Sequence, residues 1–265
     1  MDIFFRSYRS SSAGNCLALW TADTSILIDC GVRTLGDCRA IVRGHRDGHG
    51  PIHGVFVTHA HGDHLSADAA RVLREEGIPI YAHPHVVPHL RARHRVGEGV
   101  GSPIQAFPSD DFIFGDFEVT AIRLPHTPNV PTFGFAVEAG HGARRRKLVV
   151  CTDFNDFSTV RPHLAGADFV FVEANHDLAL LGQHPNPNSR YHLSNVKTAG
   201  LLCEVFGDGR PAPQLVVLGH LSEQRNRERL AAGEVERAFE RQGLRVPFAL
   251  ETAPRFEASR VITIG

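Results

Sequence analysis

Apolar runs in this chain are short, and the strongest end abruptly in polar residues. At the amino-terminal end, residues 2–6, 16–21 and 25–29 are alternating or continuously apolar and predict strands. Helical character follows from Leu35 to Arg43. The stretch His45-Arg46-Asp47-Gly48-His49-Gly50-Pro51 then reads as a loop by its glycine and proline content, which leaves His45, His49 and His53 in solvent. Gly54 to Thr58 is a further strand. Leu65 to Glu76 sets Leu65, Ala69, Val72 and Leu73 on one face and predicts an amphipathic helix stopped by Gly77. Residues 78–82 complete a β-α-β unit. A helix-like segment then carries Arg91, Arg93, His94 and Arg95.

Asp111 to Leu124 reads as a hairpin around Gly115-Asp116. Thr132 to Glu138 and Lys147 to Cys151 form a second hairpin, joined by a positive tip at residues 143–147. A strand from Phe169 to Val172 precedes a Pro/Asn-rich loop over residues 183–190. Residues 191–195 open a helix, with Ser194 or Asn195 as its N-cap. Leu215 to Leu218 is another strand, a charged helix spans Glu223 to Arg241, and the tail from Arg255 to Ile264 alternates like a last strand. No repeat or low-complexity linker interrupts this order, so residues 1–265 read as a single domain. Strands cluster early in each half with helices between them, the pattern of an α/β sandwich of two sheets with helices outside.

Bulk composition changes little in this picture. Hydrophobic content of 42%, charged content of 22% and a net charge of −1 suit a globular enzyme, and any nucleic-acid contact must use local patches. The five cysteines are scattered without a C-x-x-C pair, which predicts free thiols in a reducing cytoplasm. No export leader and no apolar run long enough for a membrane span is expected. The outlier is histidine, with 17 in 265 residues.

The histidines gather where strands end. Val55-Phe56-Val57-Thr58 runs into His59-Ala60-His61-Gly62-Asp63-His64; His126, Asp153 and His220 each follow another apolar run. Imidazole and carboxylate at one edge of a rigid scaffold are ligands for zinc, manganese or iron. Five histidines and two aspartates suffice for two ions. Other stretches point toward the same chemistry. The small-residue loop over residues 10–15 is either a simple hairpin connection or a backbone cradle for an anion, with Ser12 and Asn15 as hydrogen-bonding groups. Asp29, at a strand end, either orients a loop or stands behind a metal ligand. Glu173, Asn175, His176 and Asp177 form a polar knot that either caps and supports or contacts substrate.

The segment His59-Ala60-His61-Gly62-Asp63-His64 resembles the H-x-H-x-D-H motif of the metallo-β-lactamase superfamily, and Asp29, His126, Asp153 and His220 fall where its remaining motifs lie. The resemblance implies a four-layer αβ/βα sandwich, two mixed sheets flanked by helices, with metals at one edge. It assigns His59, His61 and His126 to one ion, Asp63, His64 and His220 to the other, and Asp153 to a bridge. The cofactor implied is a pair of divalent ions, zinc first, manganese or iron as alternatives. Residues 11–16, 173–177, 192–195 and 219–222 resemble the narrower YycJ/WalJ-like branch, regarded as DNA exonucleases or phosphodiesterases. The chain departs from that branch at Tyr191, where glycine is usual, at residues 185–190 and around His126-Thr127-Pro128.

The resulting expectation is a phosphodiesterase or nuclease in which a hydroxide shared by two ions attacks a phosphodiester in line. Asp63 and His192 are the candidate catalytic residues, with His192 giving a proton or hydrogen bond; its alternative is a structural role. Candidate substrate contacts are Ser12, Asn15, Asn175, His192 and Asn195, and candidate supports behind the ligands are Asp29, Glu173 and His176. The partner is nucleic acid or a smaller phosphodiester, helped by basic tips at Arg91–Arg95 and Arg144–Lys147, and no membrane. Hydrolysis of a small ester, thioester or lactam by the same metals, an iron oxidoreductase, and a non-catalytic binding protein of the same fold are the competing readings.

Overall fold

The computed structural model describes residues 2–97 and 102–265. Its elements run β1 (Ile3–Ser11), β2 (Gly14–Trp20), β3 (Ser25–Ile28), α1 (Leu35–His49), β4 (Gly54–Val57), α2 (Ala67–Glu75), β5 (Ile80–Ala82), α3 (Val87–His94), β6 (Ile104–Ala106), β7 (Asp111–Phe114), β8 (Phe117–Leu124), β9 (Thr132–Ala139) and β10 (Arg146–Cys151). They continue α4 (Arg161–Leu164), β11 (Phe169–Glu173), α5 (Leu178–Gln183), α6 (Asn195–Phe206), β12 (Leu215–Gly219), α7 (Glu228–Glu240), β13 (Ala249–Thr252) and β14 (Ile262–Ile264).

The strands form two mixed, seven-stranded sheets, ordered β14-β1-β2-β3-β4-β5-β6 and β13-β12-β11-β10-β9-β8-β7. Each sheet is antiparallel on one side and parallel on the other: β3 to β6 run parallel in the first, β10 to β13 in the second. Alternation along β11 shows how the layers stack. Phe169 and Phe171 point inward, with ring centroids 4.7 and 5.5 Å from Phe5 of β1. Val170 and Val172 point outward into a second core built with α6 and α7, beside Leu202, Phe206, Val235 and Phe239. On the inner side, Phe56 of β4 packs on Phe112 and Phe135 of the opposite sheet. Helices α1 and α2 cover the outer face of the first sheet through Ile41, Val42, Val72 and Leu73. The expected sandwich of two mixed sheets flanked by helices is therefore present.

The local differences have physical causes. Helix α1 runs through the expected loop to His49 and stops only at Gly50, whose φ of 93° suits glycine. Gly44 and Gly48 cost that helix about 1 kcal/mol each, but His45 compensates. It is fully buried rather than solvated, with Nδ1 2.9 Å from Tyr8 Oη and Nε2 2.7 Å from Ser25 Oγ. His49 is half-buried and stacks on Trp20; His53 is exposed, as expected. Strands β1 and β2 are longer than their apolar cores, so residues 12–13 are a tight hairpin turn. The carboxy-terminal helix begins at Glu228, not Glu223, because Asn226 is buried and its amide is used elsewhere. Strands β6 and β13 are short sheet-edge pieces without an alternating signature.

Topology then fixes the site. Strands β10, β11 and β12 are parallel neighbours in register, so the residues just past their carboxyl ends, Asp153, Glu173 and His220, emerge side by side. Strand β8, two antiparallel steps from β10, shares its direction and delivers His126. In the first sheet, the parallel pair β3 and β4 delivers Asp29 and His59–His64.

Candidate metal centre

The turn after β4 is held from behind. Asp29 accepts from the Thr58 backbone N–H at 2.9 Å and from the Thr58 hydroxyl, and its other oxygen takes the His64 Nδ1 proton at 2.7 Å. The hairpin of β1 and β2 grips the far side. Asn15 donates its backbone N–H to the Asp63 carbonyl at 2.8 Å and its amide to the same carbonyl at 3.2 Å, also 3.2 Å from His64 Nε2. Gly31 must lack a side chain here, since a Cβ would lie 1.7 Å from the Asp63 carbonyl oxygen. At Gly62 a Cβ would sit 2.5 Å from Arg93 Nη2, so the guanidinium of Arg93 lies on the turn itself.

The donor atoms fall into the two expected triads. His59, His61 and His126 offer nitrogens that all lie within 4.8 Å of one another, and so do the ligand atoms of Asp63, His64 and His220. Asp153 stands between them. Its Oδ1 is 3.8 Å from His126 Nε2, and its Oδ2 is 3.1 Å from His64 Nε2. Four of the five rings have a second nitrogen with a partner that fixes its orientation: Thr58 Oγ1 for His59 at 3.1 Å, Asp29 for His64, the Tyr191 carbonyl for His126 at 3.0 Å and Glu173 for His220 at 2.9 Å.

Two observations show that this cluster fits cations. His220 Nε2 is buried without a hydrogen-bond partner, and Asp153 Oδ2 is buried facing only the His64 and His220 rings at 3.1 and 3.4 Å, a costly state for polar atoms that a metal bond relieves. Three of the polar residues also hold left-handed backbone, Asp29 at φ 61°, Asp153 at 64° and His220 at 52°. Such strain, of order 1–3 kcal/mol each, persists where surroundings over-determine the geometry. The donor set of five imidazoles and two carboxylates suits two divalent ions.

The electrostatics agree. Burial, with His64 and His126 nearby, holds His59 well below the ordinary imidazole range; burial and His126 lower His61; burial also lowers His126. These rings are neutral ligands near pH 7. Burial also works against charge on His64 and His220, but Asp29 and Asp153 lift His64 well above its usual value. Asp153, Asp63 and Glu173 lift His220 to about 10. Burial would raise Asp63 and Asp153, yet the surrounding imidazoles hold both well below the carboxylate range. Four carboxylates, Asp29, Asp63, Asp153 and Glu173, make this a site that calls for positive charge.

Glu173 is the hub of the support. Fully buried, it accepts from the backbone of Asp153 at 3.0 Å and Leu193 at 2.6 Å and from His192 Nδ1 at 3.0 Å, besides His220. Burial pushes its pKa up, but His192 and His220 bring it down to about 2. His192 is half-buried, its Nδ1 3.5 Å from Asp153 Oδ1. Its pKa rises because Glu173 outweighs the effect of burial.

The expected substrate contacts divide. Ser12 is exposed in its turn. Asn15, Asn175 and Asn195 are 3%, 4% and 1% exposed and spend their amides inside the protein, which corrects their expected role. Asn175 donates to the His220 carbonyl at 3.1 Å, and Asn195 pairs with Asn226 at 3.0 Å. Buried amides so engaged position the ligand loops. His176 is buried, its Nδ1 3.4 Å from the Asn175 side-chain Oδ1, and Asp177 caps α5. The tip at Arg144–Lys147 is less positive than its sequence: Arg145 pairs with Glu118 and Glu138. Residues that sequence reasoning did not single out are Thr58, the Tyr191 carbonyl, Asn226 and Ser10, whose hydroxyl accepts from the His220 N–H at 2.8 Å. Only their place immediately before or beside a ligand marks them.

The five cysteines are free and buried, and no described helix is long and apolar enough to cross a membrane. No curated protein matches the chain by sequence. Solved structures of similar fold include the metallo-β-lactamase fold protein YhfI from Bacillus subtilis, 17% identical with a TM-score of 0.72, covering 99% of this chain and 100% of that one. A diphosphatase of the PhnP family is 15% identical with a TM-score of 0.65, covering 100% and 98%. Human tRNase Z, short form, is 19% identical with a TM-score of 0.62, covering all of both chains. The family model for the β-lactamase superfamily domain matches residues 24–220, from before Asp29 through His220, and the chain accordingly belongs to the metallo-β-lactamase superfamily.

Proposed function

We propose that this protein is a metal-dependent phosphodiesterase of the YycJ/WalJ-like kind, acting on nucleic acid or a smaller phosphodiester in a reducing cytoplasm. The observation that carries the reading is Asp153, with one carboxylate oxygen turned to each histidine-bearing triad. His59, His61 and His126 would hold one divalent ion, Asp63, His64 and His220 the other, and Asp153 both. Ions so held supply a nucleophile derived from water near neutral pH and neutralise charge on the phosphoryl oxygens.

The chain's own residues do the rest. Glu173 accepts a hydrogen bond from His192 Nδ1 and so fixes the ring, and with the ring held in its protonated form by Glu173 its Nε2–H can give a proton or hydrogen bond to a phosphoryl or leaving oxygen. Asp29 and Glu173 together orient His64 and His220 through their Nδ1 atoms. Asp63, half-buried beside the open side of the turn, combines its ligand role with contact to the reacting group. Support also comes from chains of similar fold that are a diphosphatase and a tRNase Z by name.

The test is turnover of bis-p-nitrophenyl phosphate and of labelled single- and double-stranded DNA after loading with zinc, manganese or iron. Metal-dependent cleavage of a phosphodiester is expected. Hydrolysis of a thioester or lactam with no cleavage of any phosphodiester would overturn the reading in favour of a small-molecule hydrolase.

A further inference from the structure

A cleft of about 430 Å³ opens between α5 and the first turn of α6, with His192 at one end. That size is in the range of ligand sites. His192 links the cleft to the metal centre: it lines the cleft, and its Nδ1 lies 3.5 Å from Asp153 Oδ1. Its lining carries two cations, Arg190 and Lys197, and no carboxylate. Lys197 Nζ donates to the Asn155 carbonyl at 3.1 Å, and Arg190 lies over the Tyr191 ring and donates to its hydroxyl at 2.6 Å. Neither forms a direct ion pair among the described residues, although Asp156, its carboxyl pKa lowered by Ser158, lies near enough to Lys197 to be lowered further.

The opposite wall is apolar. Leu178 is 54% exposed, among the few large apolar side chains so open to water, and Pro187 is exposed near it. A single exposed leucine needs no explanation, but one in a cleft lined by two cations and no carboxylate, with His192 at its end, describes a ligand. It has an anionic group and an apolar face. A comparable cleft beside His126, of about 470 Å³, contains Asp156 along with Arg123 and lacks that charge.

We infer that the cleft beside His192 binds the nucleotide adjoining the scissile phosphodiester, with its phosphate on Lys197 and Arg190 and its base against Leu178 and Pro187. Lysine and arginine are the side chains that recognise phosphate, and bases pack on apolar surface irrespective of sequence. This rests on the phosphodiesterase reading and narrows it, from any phosphodiester to one extended by at least one nucleotide. The segment that forms the wall, residues 185–190, is where the chain departs from the YycJ/WalJ-like branch.

The experiment is titration of the metal-loaded protein with a fluorescein-labelled tetrathymidylate carrying phosphorothioate links, which resist hydrolysis, beside inorganic phosphate as competitor. Lys197→Met is expected to weaken tetrathymidylate binding about tenfold and to lower the slope of log affinity against log salt by about 0.7. Leu178→Ser is expected to weaken tetrathymidylate but leave competition by inorganic phosphate unchanged. Both variants should turn over bis-p-nitrophenyl phosphate like the wild type. If the wild type does not bind tetrathymidylate, or neither variant weakens it, the inference is overturned. If Leu178→Ser weakens phosphate equally, the apolar wall is not a base site and the inference is likewise overturned. Failure of the wild type to cleave any phosphodiester would instead remove the reading on which the inference rests, and the binding titration separates the two.

Discussion

Two groups of buried histidines in this molecule look alike by sequence and differ in every physical respect that matters. His45 is as buried as His59 and His64. Both its ring nitrogens meet uncharged hydroxyls, Tyr8 at 2.9 Å and Ser25 at 2.7 Å, and its edge packs on Trp20. Its pKa falls to about 4 because burial disfavours the cation and His49 and Arg6 add to that. In the other group His59, His64, His126 and His220 each have one nitrogen tied and the other turned to a shared centre, among four carboxylates. The lesson is that burial alone does not make a histidine a ligand. A ligand is recognised by where its second nitrogen points, toward other donors converging on one centre.

The comparison can be broken most sharply at Asp153. Asp153→Ala is expected to cut phosphodiesterase turnover at least roughly 10³-fold, the upper range for removing one preorganised electrostatic partner. Next is His192→Ala, expected to lower turnover about 10²-fold while metal content, read by elemental analysis, stays at the wild-type level. Turnover equal to the wild type would return His192 to a structural role. Asp29→Asn acts one step further out, through His64. It should weaken metal affinity about 10- to 100-fold, measured by competition with a chelator, with turnover restored at saturating metal.

The smallest effect on turnover belongs to the other histidine group. His45→Gln should leave metal content and turnover at pH 7.5 unchanged, and cost about 1–3 kcal/mol of stability through the hydroxyls it strands. Its pH dependence has a definite sign. The unfolded ring binds a proton near pH 6.5 and the folded one only near 4, so stability is full above the first value. It falls as the pH drops through that window, by up to about 3 kcal/mol. Other depressed histidines, His59, His61 and His126 among them, lose stability over the same range, so denaturant titrations between pH 7 and 4 should show a smaller loss in His45→Gln than in the wild type, by up to about 3 kcal/mol.

Much of the metal centre was legible in the sequence because its signal is local. An apolar run followed within a few residues by His59, His61, Asp63 and His64 needs no tertiary information, and the strand-end positions of His126, Asp153 and His220 follow the same rule. The fold class followed from strand order in the same way. Other features depend on contacts between distant segments. Burial of His45 is decided by Tyr8 and Ser25, far along the chain, and glycine content could not reveal that α1 continues. Asn15, Asn175 and Asn195 read as substrate contacts because polar residues near a site usually are. Their burial follows from carbonyls and amides that only the folded chain brings near. Short edge strands such as β6 carry too few residues for a period to register.

The central claim is that seven side chains make two separable ion sites bridged by Asp153. The measurement that tests it most directly is the metal content per folded chain after equilibrium dialysis, for the wild type, His61→Ala and His220→Ala, with folding checked by circular dichroism. The account predicts two ions in the wild type and about one in each variant, each losing the ion of its own triad. A folded wild type that holds no ion, or variants that keep both, would contradict it.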